Sequence, residues 1–563
     1  MGRAGRFRTE SQGALLWWRV GDALVACLGV YISCILAWLY SELLHRGSRK
    51  GSTGGDDGDE EAEGKALLPV VAENGEVNGA TAAAAAEGNS VPELGKEVPQ
   101  PSKLYHLSSS ALFRCLQLDR EALISCRLLL RCVVELGTIL LWFYVADRTP
   151  AIAAGEKTYS RDLFLFLFVV LTAVAAGYTL RASRGPVLLH RHQTEEWKGW
   201  MQVLFLLYHY YNAKEAYNAI RVFIAAYVWM TGFGNFAYYY KTADFSLGRF
   251  VQMMWRLNFL VIFCCLVLNN SYMLYYICPM HTIFTVLVYA ALGIGWQYNK
   301  TQGVIWAKVA ASFAVVFLFW DVKPVFDLVW SPFAFFMGYV DPRRPGPEPM
   351  HEWYFRSSLD RYIWIWGMVC AYVHPTWDKF LQRVDSMQPA LRRAVRAGMM
   401  AGALLVGYVW YTHVYTLPKL EYNKLHPYTS WIPITVFIVL RNMTPPLRLW
   451  SMSLYGWLGC ITLETYIGQF HTWMVTKADD GQPIYLLVLL PGYPLLNFAL
   501  VTAIYVILSY RLFHVTNDLK LAVVPHDDNR LLLRNAVVAA VAGTVVLGGA
   551  FLVTQARDLF FLS

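Results

Sequence analysis

Residues 195–209 read EEWKGWMQVLFLLYH. After two acidic residues and Lys198, this stretch is almost entirely apolar until it reaches His209. Eleven residues are close to three helical turns, so Lys198 and His209 share one helix face about 16 Å apart along the axis. If Lys198 marks a membrane surface, His209 lies near the middle of the bilayer. An ionisable side chain is costly there and is typical of a functional site.

The whole chain has the composition of an integral membrane protein. It has 563 residues, of which 56% are hydrophobic and 16% are charged, whereas soluble domains carry roughly 25% charged residues. Apolar stretches recur along nearly its full length, which predicts an all-α polytopic protein with about 12–14 transmembrane helices. The ten cysteines are scattered without a Cys-x-x-Cys spacing. We therefore expect neither a disulfide framework nor a metal site.

Composition divides the chain into three regions. Residues 1–44 form a predicted N-terminal transmembrane anchor. Residues 45–118 are rich in glycine, alanine and acidic side chains, and such a segment cannot bury enough apolar surface to offset its chain entropy. It is predicted to be a disordered cytosolic loop. Residues 119–563 form the predicted multi-span domain.

Basic clusters predict how the chain is oriented in the membrane. Clusters at 181–198, 379–396 and 511–534 face the cytosol by the positive-inside rule. The alternation of spans is then consistent only if the apolar piece 325–340 does not cross. Of the three glycosylation sequons, this arrangement puts only Asn269 on the lumenal side.

The segment after His209 favours a functional reading of that histidine. Residues 210–218 read YYNAKEAYN, which is too polar to face lipid and should line a cavity or a break between helices. The alternative is structural: a lysine whose charge reaches the membrane surface, and a histidine bonded to a neighbouring helix. The lysine and histidine alone do not decide between these two interpretations.

A second pair of ionisable residues is Glu464 and His471. Their spacing of seven residues predicts that they share a helix face, two turns apart, with His471 near the lumenal end and Glu464 deeper. They could form a proton relay on the acceptor side. They could equally be an interface histidine and a carboxylate paired with an arginine.

Several arginines fall in or next to apolar segments and need anionic partners. Arg221 and Arg256 lie within or at the ends of predicted spans, and Glu215 and Glu464 are available to pair with them. The alternative use of such arginines is bidentate binding of phosphate groups.

Three sequence blocks carry a family resemblance. Residues 220–236, which include MTGFGNF, together with RLNF at 256–259 and EWYFR at 352–356, resemble the plant Reduced Wall Acetylation proteins. The same blocks are similar to the multi-span domain of the fungal and animal Cas1p-like capsule and sialic-acid O-acetyltransferases. The basic residue separated from the histidine by ten residues, followed by a Thr-Gly-Phe helix, is more distantly similar to bacterial membrane acyltransferases that acetylate surface polysaccharides.

The resemblance implies a Golgi membrane O-acetyltransferase component that uses cytosolic acetyl-CoA to acetylate cell-wall polysaccharide in the lumen, without a metal. It implies that Lys198 and His209 serve the use of acetyl-CoA. With the predictions made above from spacing and charge, the candidate catalytic residues are His209, Glu464 and His471. The candidate acetyl-CoA-binding residues are Lys198, Arg221, Arg256, Asn258, Arg356 and Arg361. The animal relatives carry a lumenal hydrolase-like domain, so a separate lumenal transferase of the trichome birefringence-like family is an expected partner. The polysaccharide acceptor and membrane lipids are further expected partners, and nucleic acid is not.

Two other classes of function fit parts of the sequence. A transporter could move acetyl-CoA or acetyl across the membrane without covalent chemistry, because broken helices with polar interiors suit that class equally well. A non-catalytic scaffold could recruit lumenal transferases, but it leaves Lys198, His209 and Glu464 without a reason to lie inside the membrane.

Overall fold

The structure is a computed structural model and describes residues 20–50, 119–343, 348–525 and 528–562. Most of the predicted loop at 45–118 therefore lies outside the described residues. The first helix, α1, runs over Val20–Lys50 and continues past the predicted anchor boundary at residue 44.

The described residues are mainly helical. In the first half of the chain the helices are α1, α2 (Arg120–Ser125), α3 (Arg127–Arg148), α4 (Arg161–Tyr178), α5 (Arg191–Tyr211), α6 (Tyr217–Thr242), α7 (Leu247–Leu268), α8 (Ile277–Gly293), α9 (Gln302–Val316), α10 (Lys323–Trp330) and α11 (Ala334–Met337). In the second half they are α12 (His351–Leu359), α13 (Ile363–Ser386), α14 (Pro389–Trp410), α15 (Lys419–Thr429), α16 (Trp431–Arg441), α17 (Pro445–Leu449), α18 (Ser453–Cys460), α19 (Thr462–Gly468), α20 (Pro494–Val523) and α21 (Asn529–Leu562). Short π-helical turns follow α9, α14 and α19, at Phe317–Asp321, Tyr411–Tyr415 and Gln469–Trp473.

The chain divides into two compact units. One contains residues 1–141, 246–256 and 514–563, and the other contains 142–245 and 257–513. The chain passes from one to the other within α3, α7 and α20 and at the connection before α7. The candidate site described below lies in the second unit.

Eight helices in the described part of the chain are long and apolar enough to cross a membrane. They are α1, α3, α4, α7, α9, α14, α20 and α21, with α9 and α14 lengthened by their π-helical turns. Helices α5, α6 and α13 have 21, 26 and 24 residues. They are long enough to span but carry more polar and charged side chains. This architecture confirms an all-α polytopic membrane protein.

Two small antiparallel sheets mark opposite ends of the second unit. Strand β1 (Ala153–Glu156) pairs with β5 (Tyr485–Val488), which also pairs with β4 (Met474–Val475). We call this the sheet end. Strand β2 (Leu180–Ala182) pairs with β3 (Trp450–Met452) after helix α4 has run the length of the unit.

The β2–β3 end collects two of the predicted cytosolic clusters, and we call it the basic end. Here Arg441 donates to Glu196 at 2.8 Å, and Arg448 is ion-paired with Asp385. The backbone N–H of Leu188 donates to Asp378 at 3.1 Å. Residues near 181–198 and near 379–396 therefore lie at the same end, as the positive-inside rule requires.

The apolar piece 325–340 does not cross the unit. It consists of the short helices α10 and α11, of eight and four residues, whereas a span needs about 20 residues. Arg361, just before α13, bonds to Asp321 at the end of the π-helical turn after α9, with N–O distances of 2.9 and 2.7 Å. The chain between Asp321 and Arg361 thus begins and finishes at the same end of the unit, as the predicted alternation of spans requires.

Glycines allow two helix pairs to pack backbone against backbone. A Cβ on Gly232 of α6 would overlap the carbonyl oxygen of Trp364 in α13, and one on Gly367 of α13 would overlap that of Trp229. Helices α5 and α18 meet in the same way, through Gly199 and Gly459. These approaches fix how α5 and α6, which carry the candidate site, pack in the unit.

Candidate active site

Helix α5 carries both residues of the predicted pair. It begins after His190, whose imidazole accepts from the backbone N–H of Gln193, and it ends at Asn212, which is left-handed with φ 53°. Lys198 and His209 have the predicted spacing on this helix. However, His209 is within one turn of the helix end and is not half-way along it. The polar segment 212–216 makes the predicted break before α6.

A partly buried lysine ties the last turn of α5 to the sheet end. Lys157, one residue after β1, donates to the carbonyl oxygens of His209 at 2.9 Å and of Pro483 at 2.7 Å. The carbonyls of a last helical turn have no partner within the helix, and a cation there also interacts favourably with the helix dipole. Burial lowers the pKa of Lys157 to about 8 because its surroundings disfavour the charged form.

The imidazole of His209 is held on one side and open on the other. Its Nδ1 lies 3.2 Å from Oε1 of Gln469, and its ring packs edge-on against Phe205. Its Nε2 makes no hydrogen bond to any described residue, and the side chain is only partly buried. A ring nitrogen in this state is available to accept a proton or to attack an electrophile.

Two cations lie near His209 at the sheet end. Lys157 and Arg356 are the charged side chains close enough to interact electrostatically with it. The guanidinium of Arg356 lies 4.4 Å from the ring centre of Tyr276 and donates to Glu352 at 3.2 Å. The environment of His209 therefore favours negative charge that develops during a reaction.

Lys198 lies at the basic end. Its Nζ is 2.6 Å from Glu195, and its side chain is 25% exposed. The carbonyl of Lys198 accepts from the hydroxyl of Tyr227 at 2.6 Å. An anionic ligand at Lys198 must therefore compete with Glu195.

The arginines expected to share an anion site with Lys198 are not near it. Arg221, Arg356 and Arg361 lie at the sheet end, and each has a carboxylate partner. Arg221 is buried and pairs with buried Asp360 at 2.6 Å, not with Glu215 or Glu464 as the sequence suggested. Arg361 pairs with Asp321. A single phosphate site built from all of these arginines and Lys198 is therefore excluded by geometry.

Two further residues belong to the expected acetyl-CoA set, Arg256 and Asn258. Arg256 belongs to the other unit. The amide of Asn258 is engaged by protein groups, since it donates to Thr282 at 3.0 Å and accepts from the hydroxyl of Tyr272. The sequence showed these two as polar residues in an apolar helix, and it could not show which neighbours they face.

His471 forms a network that the sequence did not reveal. Its Nδ1 lies 2.8 Å from Asp147 and its Nε2 lies 2.6 Å from the hydroxyl of Tyr275. All three side chains are fully buried. Asp147 also accepts from the backbone N–H of Thr476 at 2.7 Å. The only available signal was an aspartate at the end of an apolar span.

This network changes the expected relation between Glu464 and His471. Glu464 is fully buried in α19, but the helix becomes π-helical from Gln469 to Trp473. Because both ring nitrogens of His471 are already bonded, no direct hydrogen bond joins it to Glu464. The relay between Glu464 and His471 stays a prediction, and Asp147 and Tyr275 are the direct partners of His471. Among the described residues, no group of three His, Cys, Asp or Glu side chains could hold a metal ion.

Comparison with known proteins identifies the family. Residues 101–537 match the family described as the 10 TM acyl transferase domain found in Cas1p. The chain belongs to the Cas1p acyltransferase family. A zebrafish (Danio rerio) protein named N-acetylneuraminate (7)9-O-acetyltransferase is 30% identical over 430 residues, which is 71% of this chain and 51% of that protein. The chain thus spans about half the length of this curated relative. No solved structure matches.

Membership of the Cas1p family supports a general role in acetyl transfer within a membrane. It agrees with the helical, polytopic architecture of the described residues. It also directs attention to His209 and Lys198, which both lie inside the matched region.

Proposed function

We propose that this protein is a membrane O-acetyltransferase that uses acetyl-CoA and that His209 is its catalytic residue. The observation that carries the proposal is the imidazole of His209, with Nδ1 held by Gln469 and Nε2 unbonded. Among the sequence-predicted catalytic residues, His471 has both ring nitrogens occupied. We therefore assign His471 a positioning role in place of proton transfer.

The proposed reaction uses His209 as a general base. Nε2 takes the proton of an acceptor hydroxyl as that oxygen attacks the carbonyl carbon of the acetyl thioester. The C–S bond then breaks, and the leaving thiolate of CoA takes the proton back from the imidazolium. The cations Lys157 and Arg356 would stabilise the negative charge on the thioester oxygen. Direct attack by Nε2, which would give an acetyl-histidine, uses the same open nitrogen.

The positions of Lys198 and His209 suggest how donor and acceptor are divided. The basic end faces the cytosol by the positive-inside rule, so Lys198 would meet the phosphates of cytosolic acetyl-CoA. The uncharged pantetheine arm would then cover the roughly 16 Å to His209. The acceptor hydroxyl would approach from the sheet end, on the lumenal side.

The finer identity follows from the resemblance of the motifs to plant Reduced Wall Acetylation proteins. On that basis we propose a Golgi location, cell-wall polysaccharide as the acceptor, and lumenal transferases of the trichome birefringence-like family as partners. Glu464, buried in α19, remains a proposed contributor on the acceptor side.

The test uses purified full-length protein in lipid nanodiscs with acetyl-labelled acetyl-CoA and a panel of neutral and acidic oligosaccharides. We expect CoA release and acetylated sugar from the wild type, and loss of both in His209→Ala. His351→Ala, which changes an exposed histidine, should match the wild type. The protein is also reconstituted in sealed vesicles, where uptake of intact acetyl-CoA without CoA release would support the transporter instead. Full activity of His209→Ala would refute the catalytic assignment.

A further inference from the structure

Gln469 is the residue that contacts the imidazole of His209. It is the first residue of the π-helical turn Gln469–Trp473, and its side chain is fully buried. Its Nε2 donates to the carbonyl oxygen of Tyr466 at 3.0 Å, and its Oε1 lies 3.2 Å from Nδ1 of His209. Both ends of the amide thus have a protein partner.

These two contacts determine where the hydrogens are. A backbone carbonyl can only accept, so the NH2 group of Gln469 must face Tyr466 and the amide oxygen must face His209. The amide oxygen can also only accept, so Nδ1 of His209 must carry a hydrogen. In a neutral imidazole the other nitrogen, Nε2, then holds the free electron pair.

We infer that Gln469 is a positioning residue that holds His209 in the tautomer with the hydrogen on Nδ1 and the electron pair on Nε2. This inference rests on the proposed role of His209. The charged side chains near His209 are Lys157 and Arg356. The neutral phenol ring of Tyr208 lies 5.2 Å from the imidazole, centre to centre.

The π-helical turn that carries Gln469 is anchored on its other side. His471, two residues on, is bonded to Asp147 and Tyr275. Just before the turn, a Cβ on Gly468 would meet Ser509 and Tyr505 of α20 at about van der Waals distance. A residue that orients a catalytic group needs this kind of rigid support. The buried His471 network therefore serves the position of Gln469.

The test reads the tautomer directly. Full-length protein with 15N-labelled histidine rings is reconstituted in lipid, and its solid-state NMR spectrum separates protonated from unprotonated ring nitrogens. The signals of His209 are those lost in His209→Ala. We expect a protonated Nδ1 and an unprotonated Nε2 in the wild type, and a mixed or reversed pattern in Gln469→Met, which removes the acceptor at similar size.

Acetyl transfer from acetyl-CoA is measured on the same samples. We expect kcat to fall about tenfold in Gln469→Met, which corresponds to the loss of one hydrogen bond. Gln469→Glu, which can still accept from Nδ1, should restore activity to within about threefold of the wild type. Gln202→Met is the matched control, since Gln202 is a buried glutamine of α5 that bonds to Thr465 and not to His209. It should leave the histidine signals unchanged.

The outcomes separate this inference from the proposed function. A protonated Nε2 in the wild type, or an unchanged tautomer in Gln469→Met, overturns the inference whatever the activity. If the tautomer is as expected but neither His209→Ala nor Gln469→Met slows acetyl transfer, the proposed function fails while the assignment of the tautomer stands. Equal loss of activity in Gln469→Glu and Gln469→Met would refute the positioning role.

Discussion

The pair Gly232→Ala and Gly234→Ala tests how helices α6 and α13 pack. The two glycines are two residues apart in one helix. A Cβ on Gly232 would overlap the backbone carbonyl of Trp364, whereas a Cβ on Gly234 would meet nothing within 4 Å. A backbone carbonyl cannot rotate away as a flexible side chain can, so the two helices must separate to admit the methyl group.

The expected cost can be estimated from these contacts. Forcing an extra carbon into a packed core costs about 1–3 kcal/mol, and a contact with backbone should fall at the upper end of that range. Replacing glycine by alanine in a helix returns about 1 kcal/mol through helix propensity. The net destabilisation of Gly232→Ala is then about 2 kcal/mol. Gly234→Ala keeps only the propensity gain and should be neutral or slightly stabilising.

The assay is thermal unfolding of the purified full-length variants, followed by tryptophan fluorescence in one detergent. We expect the apparent melting temperature of Gly232→Ala to fall by about 2–3 °C, because the entropy of unfolding scales with the several hundred residues of this unit, and that of Gly234→Ala not to fall. Gly367→Ala should resemble Gly232→Ala. The double variant should cost less than the sum, because a Cβ on Gly367 would lie only 3.2 Å from the Cα of Gly232. Equal melting temperatures for Gly232→Ala and Gly234→Ala would refute the proposed close approach.

Three further predictions concern charged residues. Lys198→Ala should weaken acetyl-CoA binding about ten- to a hundredfold, as measured by calorimetry. Glu195→Gln removes the competing carboxylate and should not weaken binding. Unchanged affinity in Lys198→Ala would show that this lysine does not bind acetyl-CoA. Asp147→Ala should destabilise the protein by about 3–5 kcal/mol because it leaves a buried network unpaired, and Asp147→Asn should destabilise it less. Thermal unfolding of both variants measures this difference, and wild-type stability of Asp147→Ala would contradict the network. Burial lowers the pKa of Lys157 to about 8, so Lys157 loses its charge as pH rises through that value and acetyl transfer should decline above about pH 8. Lys157→Arg stays charged and should flatten that decline in the pH–rate profile. An identical profile in this variant would exclude Lys157 as the source of the decline.

Much of the candidate site was predictable from local pattern. The spacing of Lys198 and His209 follows from helix geometry, because eleven residues cover a fixed length of α-helix. The break after His209 was also predictable, since residues 212–216 are too polar to continue an apolar span. The alternation of basic clusters predicted that residues 325–340 do not cross the membrane. In the structure, the ion pair between Arg361 and Asp321 holds the two ends of this segment together.

Other features depended on pairings between distant segments. Arg221 could have paired with any buried carboxylate, and the partner is Asp360, 139 residues away. Asp147 and His471 lie 324 residues apart, and Gln469 reaches His209 across 260 residues. No local pattern encodes such contacts, because they depend on which helices become neighbours and on how a π-helical turn rotates its side chains.

Local sequence pattern predicts a helical membrane protein with a cation and a histidine at fixed spacing on one helix. Hydrophobic length and helical period act locally, so they can be read along the chain. Tertiary structure alone decided that Lys198 and the arginines lie at opposite ends, that both nitrogens of His471 are bonded, and that Nε2 of His209 is left open. These outcomes depend on close backbone contacts such as that of Gly232 with Trp364, which set the helix neighbours and therefore the partner of every buried polar group.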